Sequence, residues 1–136
     1  MDILVEIITP ERKAYEATVD DVNVPTVEGH IGVLGRHEPL FTILSLGEIK
    51  IRDGNKEFFL AIGGGFMEVT RDRVSILVSR AVHADELNEV EIKKAERSAR
   101  DIIASEARGV ELAGAQAILR RSLLEMKVLR RHRQRH

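Results

Sequence analysis

The feature that most constrains this chain is a change of hydrophobic period between Arg80 and Val90. Before this stretch the apolar residues recur at every second position; after it they recur at every third or fourth. A period of two marks strands with one buried face, and a period near 3.6 marks amphipathic helices. The joint therefore predicts two modules, a β unit over residues 1–84 and a helical unit over residues 85–136.

At 136 residues and 43% apolar content, the chain can hold one domain or two small ones with a real core. Aromatic residues make up only 4%, with no Trp, which argues against a platform that stacks nucleic-acid bases. Cys is absent, so disulfides, thiolate chemistry and Cys zinc sites are excluded. No apolar run approaches the roughly 20 residues that cross a bilayer, and Met1-Asp2-Ile3-Leu4 lacks a basic leader. The expectation is a soluble, intracellular chain.

The net charge of -1 conceals an asymmetry about the joint. Residues 1–84 carry 9 basic and 13 acidic side chains, whereas residues 85–136 carry 12 and 9. Most of the excess lies between Arg120 and His136, where seven Arg and Lys face the single acid Glu125. A basic helix end seeks an acidic partner, an anionic surface or water.

In the β half, Asp2–Thr9 reads as a strand closed by the turn Thr9-Pro10-Glu11-Arg12. Tyr15 and then Val19–Pro25 continue at strand spacing. Further strands are expected at Leu40–Leu44, Glu48–Arg52, Glu57–Ile62, Phe66–Thr70 and Val74–Val78, with tight loops at Asp53-Gly54-Asn55 and Arg71-Asp72-Arg73. About ten short antiparallel strands at near-regular spacing predict an all-β sandwich.

Two glycine-bearing stretches invite a chemical reading. Gly63-Gly64-Gly65 is followed by Phe66-Met67 rather than by Lys and Ser or Thr, so it lacks the side chains of a phosphate loop. It reads as a turn or bulge that needs positive φ. The second stretch runs from Gly29 to Leu40, Gly-His-Ile-Gly-Val-Leu-Gly-Arg-His-Glu-Pro-Leu. Its glycines fall three apart, which is not dinucleotide spacing. His30, His37 and Glu38 do not complete a metal-ligand geometry, and no metal is expected. The stretch reads as a surface loop long enough to be a contact surface.

In the helical half, Glu89–Ala107 predicts a first helix, with Asn88 as N-cap, Glu91 completing a capping-box-like pattern, and Gly109 as the stop. A second helix is expected over Leu112–Arg131. Leu112, Ala115, Leu119, Ser122, Met126 and Leu129 are spaced 3, 4, 3, 4, 3 along it, broadened by Ile118 and Leu123, which is a coiled-coil seam. Ile92, Ala95, Ala99 and Ile102 face it from the first helix, and the short link makes an antiparallel αα-hairpin. Such a hairpin is marginal alone. Its stripe must dock on the β module or on a partner, which suits it to two arrangements.

The whole chain resembles the epsilon subunit family of F-type ATP synthases of bacteria and chloroplasts. Gly29 to Leu40 is similar to that family's Gly-x-hydrophobic-Gly-hydrophobic-x-Pro-Gly-His-x-Pro-hydrophobic pattern, and Gly64-Gly65-Phe66-Met67-Glu68-Val69 to its second signature. The resemblance implies a non-catalytic rotor subunit of the central stalk, peripheral at the cytoplasmic face of the inner or plasma membrane. Its sandwich would bind the gamma subunit and the c-subunit ring. Gly29, His30 and Ile31 match the ring-facing turn, and His37, Pro39 and Leu40 a rotor-interface loop. An acid often follows the first glycine in the family; His30 stands there instead, which weakens pairing with basic ring loops and makes it pH-sensitive. Gly35-Arg36 replaces the Pro-Gly pair, a change of turn stiffness.

The resemblance also implies that an extended hairpin inhibits ATP hydrolysis by reaching an acidic segment of a catalytic beta subunit in the alpha/beta hexamer. Arg120, Arg121, Lys127, Arg130 and Arg131 are the residues expected to make that contact. Some relatives bind ATP through a hydrophobic-Asp-x-x-Arg-Ala motif. Here Asn88, Glu91 and Ile92 replace its Asp, Arg and Ala, so no nucleotide, and no other cofactor, is expected. His30, His37, His83, His132 and His136 are scattered and no nucleophile–base pair is legible, which argues against an enzyme. The remaining alternative is a basic-tailed module for nucleic acid or protein, although the resemblance implies no nucleic-acid partner and a membrane reached only through the complex.

Overall fold

Ile3, Val5 and Ile7 are buried while Leu4, Glu6 and Ile8 are half-buried, and this period of two builds the first strand, β1 (Ile3–Ile8). In the computed structural model, which describes residues 2–36 and 38–135 and the side chains through 134, nine more strands follow. They are β2 (Lys13–Val19), β3 (Asp21–Thr26), β4 (Gly29–Leu34), β5 (Leu40–Leu44), β6 (Gly47–Asp53), β7 (Lys56–Ile62), β8 (Gly65–Val69), β9 (Arg73–Val78) and β10 (Ala81–His83). The chain separates into two compact units, Met1–Ala84 and Asp85–His136.

In the first unit the strands run in the order β10-β7-β6-β3-β5-β8-β9-β1-β2, with β4 paired to β3, as a β-sandwich around one core. Val5, Ile7, Val22, Val24, Val33, Ile49, Ile51, Leu60, Met67, Val74 and Ile76 are fully buried there. One pairing departs from the antiparallel expectation: β1 lies parallel to β9, from Leu4 opposite Arg73 to Ile8 opposite Leu77. Parallel neighbours need a long connection, and the seven intervening strands supply it.

Gly63-Gly64-Gly65 does not take positive φ, which among the described glycines is found at Gly29, Gly54 and Gly109. Space is the reason for glycine at positions 63 and 65 instead. A Cβ on Gly65 would lie 2.0 Å from the Leu77 carbonyl oxygen, and one on Gly63 would lie 2.3 Å from Ser79 Oγ.

In the second unit Asn88 caps α1 (Glu89–Ala104), its Oδ1 accepting from the N–H groups of Val90 (2.9 Å) and Glu91 (3.3 Å). The helix ends three residues earlier than expected. Glu106, with φ 62°, ends the helix in place of Gly109, the expected stop, and Ser105 Oγ donates to the Ile102 carbonyl at 2.7 Å. Gly109 instead opens α2 (Gly109–Arg135), whose 27 residues span about 40 Å. Leu87, Ile92, Met126 and Leu129 form one cluster, which fixes the antiparallel register. Glu89 closes it with Arg133 at 3.0 Å.

The seam prediction holds for Ala115, Ser122, Met126 and Leu129, all buried, but not for Leu123, which is 47% exposed. Leu123 lies four residues beyond Leu119, yet only one residue past Ser122, about 100° round the helix. Burial extends the other way, to Glu125 and Val128. Ser122 tolerates its buried position because its hydroxyl donates to the Ile118 carbonyl at 2.8 Å.

Candidate functional site

The expected ring-facing turn is a strand. Gly29, His30 and Ile31 open β4, which pairs with β3 from Thr26 opposite Gly29 to Asp21 opposite Leu34. The turn itself is Val27-Glu28. Thr26 Oγ1 donates to the Gly29 carbonyl (2.6 Å) and accepts from the Glu28 N–H (3.1 Å), and Gly29 takes φ 119°. Alternation then places Ile31 against the core, while Gly29 and His30 are exposed. The reading of Gly29–Leu40 as a loop fails over Gly29–Leu34, because the two glycines masked a strand whose Val33 is fully buried.

The acid expected after Gly29 stands before it instead. Glu28 is exposed in the turn, one residue ahead of Gly29. At the other end of β4, Arg36 stands where the resembling pattern has glycine, and its φ is 63°. That departure places an L side chain in the left-handed region, a strain of roughly 1–2 kcal/mol. Of the expected rotor-interface loop, His37 lies outside the described residues, Pro39 is exposed, and Leu40 packs against the core opposite Val69.

Beside the turn lies an apolar patch that the sequence did not disclose. Val27 (63% exposed), Phe41 (62%), Ile43 (56%) and Phe66 (40%) stand on the outer face of the sandwich. Register aligns them: Ile43 opposes Phe66, Phe66 opposes Leu77, and Leu77 opposes Ile8, so the row crosses four strands. The Phe41 and Phe66 rings pack at 5.5 Å. The Val27 N–H donates to the Ile43 carbonyl at 3.2 Å, which ties the turn to the patch. A cleft of about 400 Å³ lined by Ile8, Pro10, Gly64, Gly65, Phe66 and Leu77 continues it. The available signal was β5 itself, Leu-Phe-Thr-Ile-Leu, apolar on both faces where a solvated sheet face alternates with polar residues. A contiguous apolar patch of this kind marks an interaction surface.

The cationic residues of α2 divide into two groups. Arg120, Lys127 and Arg130 are exposed and carry no ion pair among the described residues. Together with Leu123 they follow one helical stripe at spacing 3, 4, 3, beside a groove also lined by Lys93 and Glu96 of α1. Arg131 is exposed as well. Arg121 departs from the expected set: it is half-buried with its Nε enclosed, because it lies on the side of α2 that buries Ser122 and Glu125. Arg133, which was not among the expected contacts, holds Glu89.

At the root of the hairpin Asn88 uses its side-chain oxygen as the helix cap, Glu91 is exposed and Ile92 is buried in the hairpin cluster. Among the described residues no three metal-ligating side chains converge, and no helix is long and apolar enough to cross a membrane.

Residues 2–84 match the family described as "ATP synthase, Delta/Epsilon chain, beta-sandwich domain". The ATP synthase epsilon chain of Herpetosiphon aurantiacus is 41% identical over 136 residues, covering 98% of this chain and all of the relative. That of Chloroflexus aggregans is 37% identical over 133 residues, covering 98% and 96%. Among solved structures, a chain of the Euglena gracilis mitochondrial ATP synthase OSCP/F1/c-ring assembly superposes with a TM-score of 0.66 at 23% identity, over 95% of this chain and 78% of that one. A chain of the Tetrahymena thermophila mitochondrial ATP synthase central stalk/c-ring superposes with a TM-score of 0.58 at 16% identity, over 95% and 97%. At these identities the two structures speak to the fold alone.

Proposed function

From the premise that the chain belongs to the ATP synthase delta/epsilon family, and is a non-catalytic component of the central stalk, we propose that its two units divide anchoring from regulation. The sandwich anchors. Its patch of Val27, Phe41, Ile43 and Phe66 receives the gamma subunit, and the adjoining Val27-Glu28 turn with Gly29, His30 and Ile31 meets the loops of the c-subunit ring. Glu28 supplies there the negative charge that His30 does not. The complex is membrane-associated, and this subunit works at its cytoplasmic face.

The hairpin regulates. Arg120, Lys127 and Arg130, with Arg131, form a cationic surface suited to an acidic segment of a catalytic beta subunit, and Leu123 in its midst adds an apolar anchor. Single exposed pairs contribute only about 0–1 kcal/mol, so the contact depends on several acting together. Arg121 acts within the hairpin rather than toward the partner. Regulation by this hairpin does not run through a bound nucleotide: Asn88 is committed to the helix cap, and Glu91 would set a carboxylate against a phosphate.

The observation that carries the anchoring role is the outward-facing row Ile43–Phe66–Leu77–Ile8, apolar across four strands, exposed at Ile43 and Phe66 and half-buried at Leu77 and Ile8. Replacing both Phe41 and Phe66 with Asp leaves the buried core untouched and is expected to weaken association with gamma by about a hundredfold or more. Co-purification of the folded double variant with the complex at wild-type stoichiometry would overturn the assignment.

A further inference from the structure

The path of the sheet begins at β10 and ends at β2, and among the described residues no backbone ladder joins those two strands. Side chains join them instead. Arg12, at the foot of β2, donates from Nη2 to the Ala81 carbonyl at 3.3 Å. His83, the last residue of β10, lies with Nε2 at 3.0 Å from the Ala14 carbonyl. A carbonyl only accepts, so Nε2 carries the proton in this contact. The His83 ring also rests against Tyr15 at 6.0 Å, and Tyr15 in turn against Phe58 at 6.5 Å.

Each partner in this bridge is held by its own local structure. Arg12 is presented by a closed turn: the Thr9 N–H donates to the Arg12 carbonyl (2.9 Å), and Thr9 Oγ1 accepts from the Arg12 N–H (3.2 Å). By contrast β10 is weakly held by backbone alone. It has only three register pairs, Ala81 with Ile62, Val82 with Ala61 and His83 with Leu60, all to β7. A strand this short with one neighbour frays readily.

We propose that Arg12 and His83 form a latch that clips β10 to β2 and thereby sets the point from which the helical unit is tethered. With the latch closed, the tether starts at the 3₁₀ turn Ala84–Glu86 and ends at the cap Asn88. With it open, β10 peels from β7 and its three residues join the tether, which adds roughly 10 Å of reach at about 3.3 Å per extended residue. The range over which the hairpin can search for a partner is thus governed by a polar cross-link inside the sandwich. The inference goes beyond the proposed division of roles, since it concerns the isolated chain and stands whether or not the hairpin inhibits hydrolysis.

Site-resolved amide hydrogen exchange on the full-length chain tests it. Arg12→Ala and His83→Leu are each expected to speed exchange at residues 81–84 by about fivefold or more, while β1 and β9 keep their wild-type protection. His83→Gln, whose side-chain amide can donate to the same carbonyl, is expected to retain the wild-type pattern. Unchanged exchange at 81–84 in both Arg12→Ala and His83→Leu would overturn the latch. So would an equal loss of protection across β1, β9 and β10, which would make the two residues general supports of the sheet, or a His83→Gln protein that exchanges like His83→Leu.

Discussion

Gly65 sits opposite Val78, and the neighbouring carbonyl of Leu77 occupies the space where a Cβ would go. Because the obstruction is backbone, it cannot swing aside as a side chain would. Gly65→Ala is therefore expected to destabilise the sandwich by about 1–3 kcal/mol, read as a lower denaturant midpoint with an unchanged slope. A stability equal to wild type would show that β8 and β9 can part without cost. A single sequence cannot separate a glycine kept for its dihedral from one kept for its size, because the distinction depends on which strand lies opposite. Gly63 and Gly65 were misread for that reason, and Arg36 shows the converse: the left-handed conformation is there without the glycine. Glu28 was missed for a related one, since the turn's register with Thr26 and Gly29 decides which acid is presented.

Among the elements, β6 was legible through clean alternation, with one face buried and the other not, and β1 and β9 through runs rich in Ile, Leu and Val bounded by turn signals. β4 was hidden by its glycines, and β10 by its brevity within the joint. The helices were legible as a hairpin through their 3–4 spacing, but not the full buried width of α2, since Glu125 and Arg121 are residue types that no hydrophobic stripe includes. At the mouth of the hairpin, the side-chain hydrogen bonds from Arg133 and Lys93 hold the Glu89 carboxyl below the ordinary glutamate range. A carboxyl lowered by folding stabilises the fold above its unfolded value and loses that contribution as pH falls through the folded one. The pairing of the start of α1 with the end of α2 is thus expected to loosen below about pH 4, seen as faster amide exchange around residue 89 and in the last turns of α2. Glu89→Gln should exchange there at a pH-independent, already loosened level once intrinsic rates are corrected. An acid response identical to wild type would place its origin elsewhere.

At the scale of the whole molecule, the change of period at Arg80–Val90 separates two units of different chemistry, an acidic sandwich with an apolar patch and a basic hairpin with an exposed cationic stripe. Their division was readable because the period of burial changes where the architecture does. The patch was not, because apolar residues on an outer face look like core residues until the strand register shows which way they point. The proposed division of anchoring and regulation between separate units makes a direct demand: removing the hairpin should leave assembly intact and release hydrolysis. The decisive measurement is the ATP hydrolysis rate of the reconstituted complex with the full chain and with a chain lacking residues 88–136, at equal occupancy of the stalk. A faster rate is expected for the truncated protein; an unchanged rate would rule out regulation by the hairpin.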